Sequence, residues 1–167
     1  DVTLISFEKI NSAVDKVEFD EMHQYCQQEK INWKPRTYHQ GLPLFSHLVN
    51  FFSIFYAPFI EMLKNAHQIV HIRSYMPGLG MPLFKMFFNF KLVFDIRGFW
   101  ADEKVDRLGW TKNSLKYKFF KALEIKLFKH ADMVVTLTDS SKEFIEARFK
   151  KSSNSVRVIR TCVDFSE

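Results

Sequence analysis

Short apolar runs rich in β-branched residues alternate with longer helical patterns along this chain of 167 residues, and this alternation constrains its fold most. The pattern predicts strands at Val2–Phe7, Ile69–Arg73, Lys91–Ile96, Met133–Leu137 and Val156–Ile159. It predicts helices around Glu18–Glu29, from Leu42 to Asn65, and at Pro82–Asn89, Thr111–His130 and Ser140–Lys150, with an otherwise irregular region before Gly41. Such alternation builds βαβ units, so we predict an α/β, Rossmann-like fold of three α/β/α layers around a mostly parallel sheet.

The size and composition are those of one folded domain, which we predict to span residues 1–167. A hydrophobic share of 47% beside 26% charged residues excludes a disordered chain, and 5 Gly and 5 Pro exclude a collagen-like one. The two cysteines, Cys26 and Cys162, lack CxxC spacing, which excludes a disulfide scaffold and a thiolate zinc site and suits a reducing cytoplasm. Cys162 has no obvious histidine partner, so we expect it to be inert.

The apolar stretch from Leu42 to Leu63 contains no Lys or Arg and is long enough to span a bilayer, for which ~20 residues suffice. His47, Asn50, Pro58 and Glu61 interrupt it, and a bilayer interior disfavours such groups. Its aromatic residues recur at three- and four-residue steps, as on one wide helical face. We therefore predict a buried or surface-docking helix rather than a membrane span.

Ligands of parallel sheets bind beyond the carboxyl ends of the strands, which makes Ser74–Gly80, Arg97–Glu103 and Thr138–Ser141 candidate segments. The second of them combines an arginine, a glycine, a tryptophan and two adjacent carboxylates, a combination that a simple connector seldom needs. The alternative is that Asp102 and Glu103 cap a helix while the tryptophan packs against its neighbours.

His71 and Arg73 alternate with apolar residues and therefore share one face of their predicted strand. A polar pair on a buried strand is costly unless it is hydrogen-bonded or faces a cleft. We expect His71 to be a hydrogen-bonded core residue, whereas Arg73 lies near the end of the strand and can reach an anion.

The segment after that strand fits a dinucleotide-binding pattern in part. Gly78 and Gly80 follow a strand and precede a helix, and Asp95 ends the next strand, where a ribose-binding acid would sit. Leu83 replaces the third glycine, however, and Pro82 accounts for a helix start without any ligand. A nucleotide- or dinucleotide-binding domain therefore stays open, beside a turn that contains two glycines.

The segment Lys104–Lys129 is strongly basic, with eight cationic residues against Asp106 and Glu124. Together with the Phe-rich helix it could rest on anionic lipid headgroups. No stripe of arginine and aromatic residues suggests base stacking, so we predict no nucleic-acid partner. A solvated helix face is the alternative, and a non-catalytic module that binds membranes or partners through Phe-rich surfaces also stays open.

Five segments of the sequence, taken together and in this order, resemble the N-terminal domain of family 4 glycosyltransferases. They are Asp1–Lys9, His71–Pro77, Phe94–Glu103, Ala131–Thr138 and Val158–Asp164. The resemblance implies a GT-B arrangement of two Rossmann-like domains, in which the N-terminal one holds mainly the acceptor and the C-terminal one mainly a nucleotide-sugar donor. It also implies retention of anomeric configuration, no metal and no cofactor.

The same resemblance implies which residues bind substrate. They are Arg73, Ser74, Tyr75, Arg97, Gly98, Asp102 and Glu103, and no catalytic residue is assigned. Arg97 would lie near the reaction centre and stabilise donor or acceptor phosphate, while Asp102 and Glu103 would meet acceptor hydroxyls. Asp164 falls in the phrase that leads into the second domain.

The sequence also departs from the family pattern. The family's opening strand and Gly-rich loop should precede Asp1, its donor-binding domain should follow Glu167, and Arg160 stands where relatives commonly have Pro. We therefore expect an N-terminal-domain fragment that is inactive by itself and self-associates through an exposed sheet edge. The parent enzyme would extend a glycan or lipid-linked glycan in polysaccharide biosynthesis, in the cytoplasm or peripherally at the inner face of the cell membrane.

Overall fold

The computed structural model describes residues 1–9, 11, 13–40 and 43–161, and the chain divides into two compact units, Asp1–Glu61 and Met62–Glu167. Each unit contains its own parallel sheet with helices between its strands. The α/β class with mostly parallel strands, predicted from the alternating pattern, is confirmed. The assignment of residues 1–167 to a single domain stays a prediction.

The first unit is built on one βαβ element. Strand β1 (Val2–Glu8) pairs in parallel with β2 (Ile31–Thr37), and α1 (Ala13–Gln28) connects them. The indole Nε1–H of Trp33 donates to Oγ of Ser6 at 2.7 Å and ties the two strands together on one face. The parallel pairing places the carboxyl ends of both strands side by side, at Glu8 and Thr37.

Strand β2 is missing from the sequence prediction, which treats its residues as irregular. Its sequence alternates apolar with polar residues and contains Pro35, which cannot donate a ladder hydrogen bond and argues against a strand. The strand forms because β1 supplies a complete parallel partner, with Ser6 opposite Pro35. Helix α1 also begins earlier than predicted, at Ala13 rather than near Glu18.

Helix α2 (Pro43–Lys64) confirms the predicted Phe-rich helix. Several of its aromatic side chains, however, lie on a face that is exposed rather than buried. Ser46, Asn50, Ala57 and Glu61 are buried and recur at helical spacing, and Met62 near the end of the helix is buried as well. Exposed aromatic and aliphatic side chains cover another face: Phe45, Leu48, Phe51, Phe52 and Tyr56. Of the two alternatives predicted for this helix, burial does not hold for these side chains, and docking on a surface stays a prediction. Among the described residues, no helix combines the length and apolarity needed to cross a bilayer.

The second unit contains four parallel strands in the order β3-β4-β5-β6. These strands are β3 (Ile69–Arg73), β4 (Lys91–Asp95), β5 (Met133–Thr136) and β6 (Val156–Val158). The helices are α3 (Tyr75–Gly78), α4 (Met81–Phe84), α5 (Trp100–Leu108), α6 (Leu115–His130) and α7 (Asp139–Phe149), with a 3-10 turn at Ser153–Ser155. The strands agree with the sequence prediction to within one residue at each end.

Four helices of this unit differ from the prediction. The helix expected at Pro82–Asn89 is the single-turn helix α4, which ends at Phe84, and the single-turn helix α3 precedes it, where no helix is predicted. Helix α6 begins at Leu115 rather than Thr111, because Ser114 is its N-cap and accepts a hydrogen bond from the backbone N–H of Tyr117 at 3.2 Å. Helix α5 was not predicted, and it shortens the loop that follows β4.

Apolar side chains of β4, β5 and α6 form the core of the second unit. Leu92, Phe94, Val134, Leu127 and Phe128 are completely buried, and the Phe94 and Phe128 rings lie 5.5 Å apart. Leu115, Phe119, Leu123 and Leu127 recur every four residues along α6, but this apolar stripe is not buried over its whole length. Its second half, which includes Leu127, enters this core, but Leu115 and Phe119 are mostly exposed.

Asp132 makes hydrogen bonds at the edge of the sheet where β4 and β5 begin. Its Oδ2 accepts hydrogen bonds from the backbone N–H of Leu92 at 2.8 Å and from Nζ of Lys85 at 2.5 Å, and its Oδ1 lies 3.4 Å from Nζ of Lys91. Burial opposes its charge, but these hydrogen bonds and the two lysines outweigh that effect and lower the pKa of Asp132 to about 2. The side chain therefore links the start of β4 to the residue before β5.

Candidate functional site

The carboxyl ends of β3, β4 and β5 lie side by side and bring the three candidate segments to one edge of the sheet. Arg73 is paired with Asp95 in the β3–β4 register. The backbone continues this pairing, since the N–H of Ser74 donates to the carbonyl of Asp95 at 2.9 Å, and that of Ile96 to the carbonyl of Val135 at 2.9 Å. This is the edge at which ligands of parallel sheets bind.

Ser74 has a strained backbone, with φ 76° and ψ 173°. This conformation lies in a region that side-chain-bearing residues seldom occupy and that costs ~1–3 kcal/mol. It turns the chain sharply at the end of β3, and the next residue, Tyr75, is buried with its ring edge-on to Phe94 at 5.5 Å. The strain thus lies at the point where the strand passes into the candidate site.

The Tyr75 hydroxyl connects the loop after β4 with helix α6. It lies 3.0 Å from the carbonyl oxygen of Gly98 and 3.0 Å from Oε2 of Glu124. A phenol has one proton, so it can donate to only one of these oxygens at a time. A protonated Glu124 would donate to Tyr75 and leave the tyrosine proton for Gly98, which satisfies all three groups.

Glu124 is almost fully buried, with 1% of its side chain exposed. Burial raises its pKa, although hydrogen bonds from Lys121 and Tyr75 oppose the increase. Burial also raises the pKa of Tyr75, and the nearby Glu124 adds to that effect. Both directions favour the uncharged forms of the two residues.

Lys121 extends this contact to helix α5. Its Nζ lies 2.6 Å from Oε1 of Glu124 and 2.5 Å from Oδ2 of Asp102, and the Tyr117 hydroxyl donates to Oδ1 of Asp102 at 2.8 Å. Burial disfavours the charge on Lys121, but its hydrogen bonds to Asp102 and Glu124 outweigh this and raise its pKa. We call Tyr75, Glu124, Lys121 and Asp102 the Tyr75 network.

Arg97 projects from the same edge, just beyond β4. Its side chain is exposed, and its Nη1 donates to Oγ1 of Thr161 at 3.2 Å. Arg73 is exposed at the end of β3, and Arg160 forms an ion pair with Asp139 at the start of α7. Exposed guanidinium groups at one sheet edge suit a phosphate or another anion, which they can bind through two hydrogen bonds each.

A family model described as Glycosyltransferase Family 4 matches residues 15–167. The chain belongs to glycosyltransferase family 4. This confirms the resemblance seen in the sequence, and full-length members of the family are glycosyltransferases. A comparison with curated proteins returned no match.

In this family 4 chain, the predicted site residues separate into two kinds. Arg73, Arg97 and Glu103 are exposed and free of the buried network, whereas Tyr75 and Asp102 belong to it. Hydrogen bonds from Lys121 and Tyr117 outweigh the burial of Asp102 and lower its pKa. Its carboxylate therefore anchors α5 to α6 in this structure, and its contact with acceptor hydroxyls stays a prediction.

Gly98 is the turn residue between the exposed arginine and α5. A Cβ atom at this position would collide with Oε1 of Glu103, so the carboxylate of that residue lies directly against the glycine. Asp102 and Glu103 lie in the first turn of α5, where carboxylates interact favourably with the positive end of a helix, but the N-cap is Phe99 and no side chain makes a capping hydrogen bond, so the capping alternative is not met. Trp100 packs 4.5 Å from Phe120 and 5.6 Å from Trp110, and this part of the alternative holds.

The structure gives Gly78 of the dinucleotide-like pattern a packing role. A Cβ atom on Gly78 would lie 2.8 Å from Cδ1 of Leu127 and 2.9 Å from Cδ1 of Ile72, so this glycine allows close packing. Asp95 lies 3.6 Å from Nε2 of His71. The prediction of a core histidine is wrong, because β3 is the outer strand of its sheet and leaves 58% of the His71 side chain exposed.

Sequence reasoning missed Glu124 and Lys121 as site-associated residues. A signal existed for the first, since Glu124 is one of two acidic residues in the basic segment Lys104–Lys129. Cys162 and Asp164 lie outside the described residues. Within the described ranges, no three His, Cys, Asp or Glu side chains lie close enough together to hold a metal ion.

Proposed function

We propose that this chain is the acceptor side of a GT-B glycosyltransferase that transfers sugar from a nucleotide-sugar donor to a glycan or lipid-linked glycan, with retention. Family membership supports glycosyl transfer in general. The observation that carries the finer proposal is Arg97, an exposed cation at the carboxyl end of β4, on a turn that the buried Tyr75 hydroxyl holds at Gly98.

The chemistry explains why an arginine is useful there. In the transfer step the bond between the anomeric carbon and the donor phosphate breaks, and negative charge grows on the departing nucleoside diphosphate. A guanidinium group stabilises that charge, and a positioned cation does so without reorganisation during the reaction. Arg73 at the neighbouring strand end would add to the same positive field. Such a site needs neither a metal nor a cofactor.

Peripheral membrane association is the second part of the proposal. It is supported by the exposed aromatic face of α2 and by exposed Leu115 and Phe119 among the lysines of α6. Aromatic side chains and lysines suit the boundary of an anionic bilayer. In sedimentation assays, binding to liposomes should increase with their content of anionic lipid. Binding that does not depend on the anionic lipid content would contradict the proposed membrane association.

The test of transfer uses the complete gene product, a labelled nucleotide-sugar and membrane or glycan acceptors. Arg97→Ala should lower kcat by about 10²–10³-fold, as loss of a positioned charge-stabilising donor does, and Arg97→Lys should recover part of it. Arg107→Ala removes an exposed arginine of α5 and is the matched control. Equal activity of the two alanine variants would overturn the role of Arg97. Stabilisation by NAD that Asp95→Ala abolishes would favour the dinucleotide-binding alternative.

A further inference from the structure

The Tyr75 hydroxyl contacts both ends of the turn that joins β4 to α5. It lies 3.0 Å from the carbonyl oxygen of Gly98, and the backbone N–H of Trp100 forms a hydrogen bond to the tyrosine oxygen. Arg97 immediately precedes this turn and is exposed at the same edge of the sheet. A single buried hydroxyl group therefore bridges the turn that follows the exposed arginine.

The ring of Tyr75 is fixed by its surroundings. It is 4% exposed, its ring lies edge-on to Phe94 at 5.5 Å, and the strained backbone of Ser74 precedes it. A close-packed ring of this kind keeps its hydroxyl oxygen in one place. What stays free to change is the direction of the hydroxyl hydrogen, which rotates toward the acceptor available to it.

Two oxygens compete for that hydrogen. The Gly98 carbonyl and Oε2 of Glu124 each lie 3.0 Å from the tyrosine oxygen, and a phenol has one proton to donate. An ionised Glu124 is the stronger acceptor, because a hydrogen bond to a charged oxygen is stronger than one to a neutral carbonyl. A proton on Oε2 makes Glu124 the donor instead, and the hydrogen of Tyr75 is then left for Gly98.

The two oxygens of Glu124 have different neighbours, and this difference decides where a proton can be accommodated. Oε1 lies 2.6 Å from Nζ of Lys121, which only donates, whereas Oε2 lies against the Tyr75 hydroxyl, which also accepts. A proton on Glu124 therefore belongs on Oε2. The carboxyl group can gain it and keep its contact with Lys121.

Charged and titratable groups from two helices besides its own surround the Glu124 carboxyl group and its tyrosine partner. They are Tyr75 on α3, Asp102 and Glu103 on α5, and Tyr117 and Lys121 on α6, with Lys112 acting on Asp102 from the loop before α6. Burial raises the pKa of Glu124 more than Lys121 and Tyr75 lower it, and Asp102 adds to the increase. Ionisation of this carboxyl group is therefore displaced above the usual range of a glutamate.

We propose that Glu124 is a positioning residue that acts on the turn after Arg97 through the direction of the Tyr75 hydroxyl hydrogen. With a proton on Glu124, Tyr75 donates to the Gly98 carbonyl and holds the turn. With Glu124 ionised, Tyr75 donates to the carboxylate, and the carbonyl loses this donor. The inference rests on the proposed role of Arg97 in glycosyl transfer and adds control of that role by a proton on a buried group.

The first test observes the turn itself and needs no activity. In the isotope-labelled complete gene product, the NMR shifts of the Gly98 carbonyl carbon and the Phe99 amide nitrogen report the hydrogen bond to that carbonyl. Both shifts should change as the pH rises through the ionisation of Glu124. In Glu124→Gln they should stay constant, because the amide can keep its oxygen toward Lys121 and donate an N–H to Tyr75.

Glu143→Gln, an exposed change on α7, is the matched control and should keep the wild-type titration. Near-ultraviolet circular dichroism checks that each variant keeps its tertiary structure. Gly98 and Phe99 shifts that do not change over the pH range in which the protein is folded would overturn the positioning role. A titration that is the same in Glu124→Gln as in the wild type would overturn it as well.

The second test is the pH profile of sugar transfer. The kcat of the wild type should fall about tenfold across the ionisation of Glu124, the factor that corresponds to one hydrogen bond of ordinary strength, with little change in KM. Glu124→Gln should keep the higher rate throughout, and Tyr75→Phe, which lacks the hydroxyl, should have the lower rate at every pH. A purely structural role would instead lower the rate of both variants without altering the profile.

The two tests separate this inference from the proposed function. A titration of the turn that Glu124→Gln abolishes, in a protein without sugar transfer, would support the positioning of the turn and contradict the proposed function. Sugar transfer with the same pH profile in the wild type and in Glu124→Gln would overturn the positioning role and leave the proposed function standing.

Discussion

The hydroxyl of Tyr75 lies 3.0 Å from Oε2 of Glu124, a contact between the first residue after Ser74 and the middle of α6. Through the carbonyl of Gly98, the same hydroxyl reaches the loop that carries Arg97. One tyrosine hydroxyl thus contacts both a buried carboxyl group and the loop that carries an exposed arginine, although these are far apart in the sequence.

Replacement of Glu124 tests the Tyr75 network. Glu124→Ala should lower the free energy of unfolding by about 2 kcal/mol, because it removes a buried side chain and leaves Tyr75 only the carbonyl of Gly98 and Lys121 only the carboxylate of Asp102 as partners. Glu124→Gln retains the shape and a hydrogen-bonding group, so its cost should be about 1 kcal/mol or less. Urea unfolding followed by circular dichroism measures both, with the exposed Glu143→Gln in α7 as the control. Equal costs of the alanine and glutamine variants would contradict the network.

The pH dependence of stability should show the raised pKa of Glu124 directly. Since burial raises the folded-state pKa above the ordinary value of 4.5, the protonated carboxyl contributes stability that is fully present below that value. This contribution is lost as the pH rises through the folded-state pKa. The wild-type protein should therefore lose stability relative to Glu124→Gln over that interval. A difference between them that stays constant with pH would show that Glu124 does not titrate there.

Ser74→Gly should stabilise the protein by about 1 kcal/mol. Glycine adopts the observed φ of 76° without steric cost, and this gain exceeds the greater entropy of glycine in the unfolded chain. Thermal or urea unfolding measures the change, and Ser74→Ala, which keeps a Cβ atom, should show no such gain. Destabilisation by the glycine would mean that contacts of the Ser74 side chain outweigh the backbone strain.

Asp132→Asn should destabilise the folded protein by about 1–2 kcal/mol at neutral pH, because it removes the charge that Lys85 and Lys91 surround. The pKa of Asp132 is lowered from 3.8 to about 2, so its contribution is present above pH 4 and disappears as the pH falls toward 2. Unfolding curves of the two proteins should therefore converge in acid. Asp106→Asn, an exposed change on α5, should show no such convergence.

Gly78→Ala and Gly98→Ala should have different costs. The first places a methyl group against the buried side chains of Leu127 and Ile72, and overpacking of this kind costs ~1–3 kcal/mol. The second collides only with the end of the flexible Glu103 side chain, so stability should change little. Urea unfolding compares them. A larger loss for Gly98→Ala would show that the position of the Glu103 carboxylate is fixed by more than packing.

The strand positions of the second unit could be predicted well because each strand has a recognisable pattern in its own short stretch of sequence. Met133–Val135 is a continuous apolar run, and the structure buries Val134 and Val135. In the first unit, β2 contains Pro35 and alternating polar residues, which do not indicate a strand. The strand depends on pairing with β1, which is distant in the sequence, so no pattern within β2 itself predicts it.

The sequence by itself determined the α/β class, the positions of the second unit's strands, the family, and the edge at which Arg73 and Arg97 lie, because periodicity and short motifs are local properties. Only the tertiary structure decided that Glu124 meets Tyr75, that His71 and the aromatic face of α2 are exposed, and that β2 exists. Each of these depends on which residues distant in the chain come into contact. Burial and hydrogen bonding arise from that contact, and neither can be read from a window of neighbouring residues.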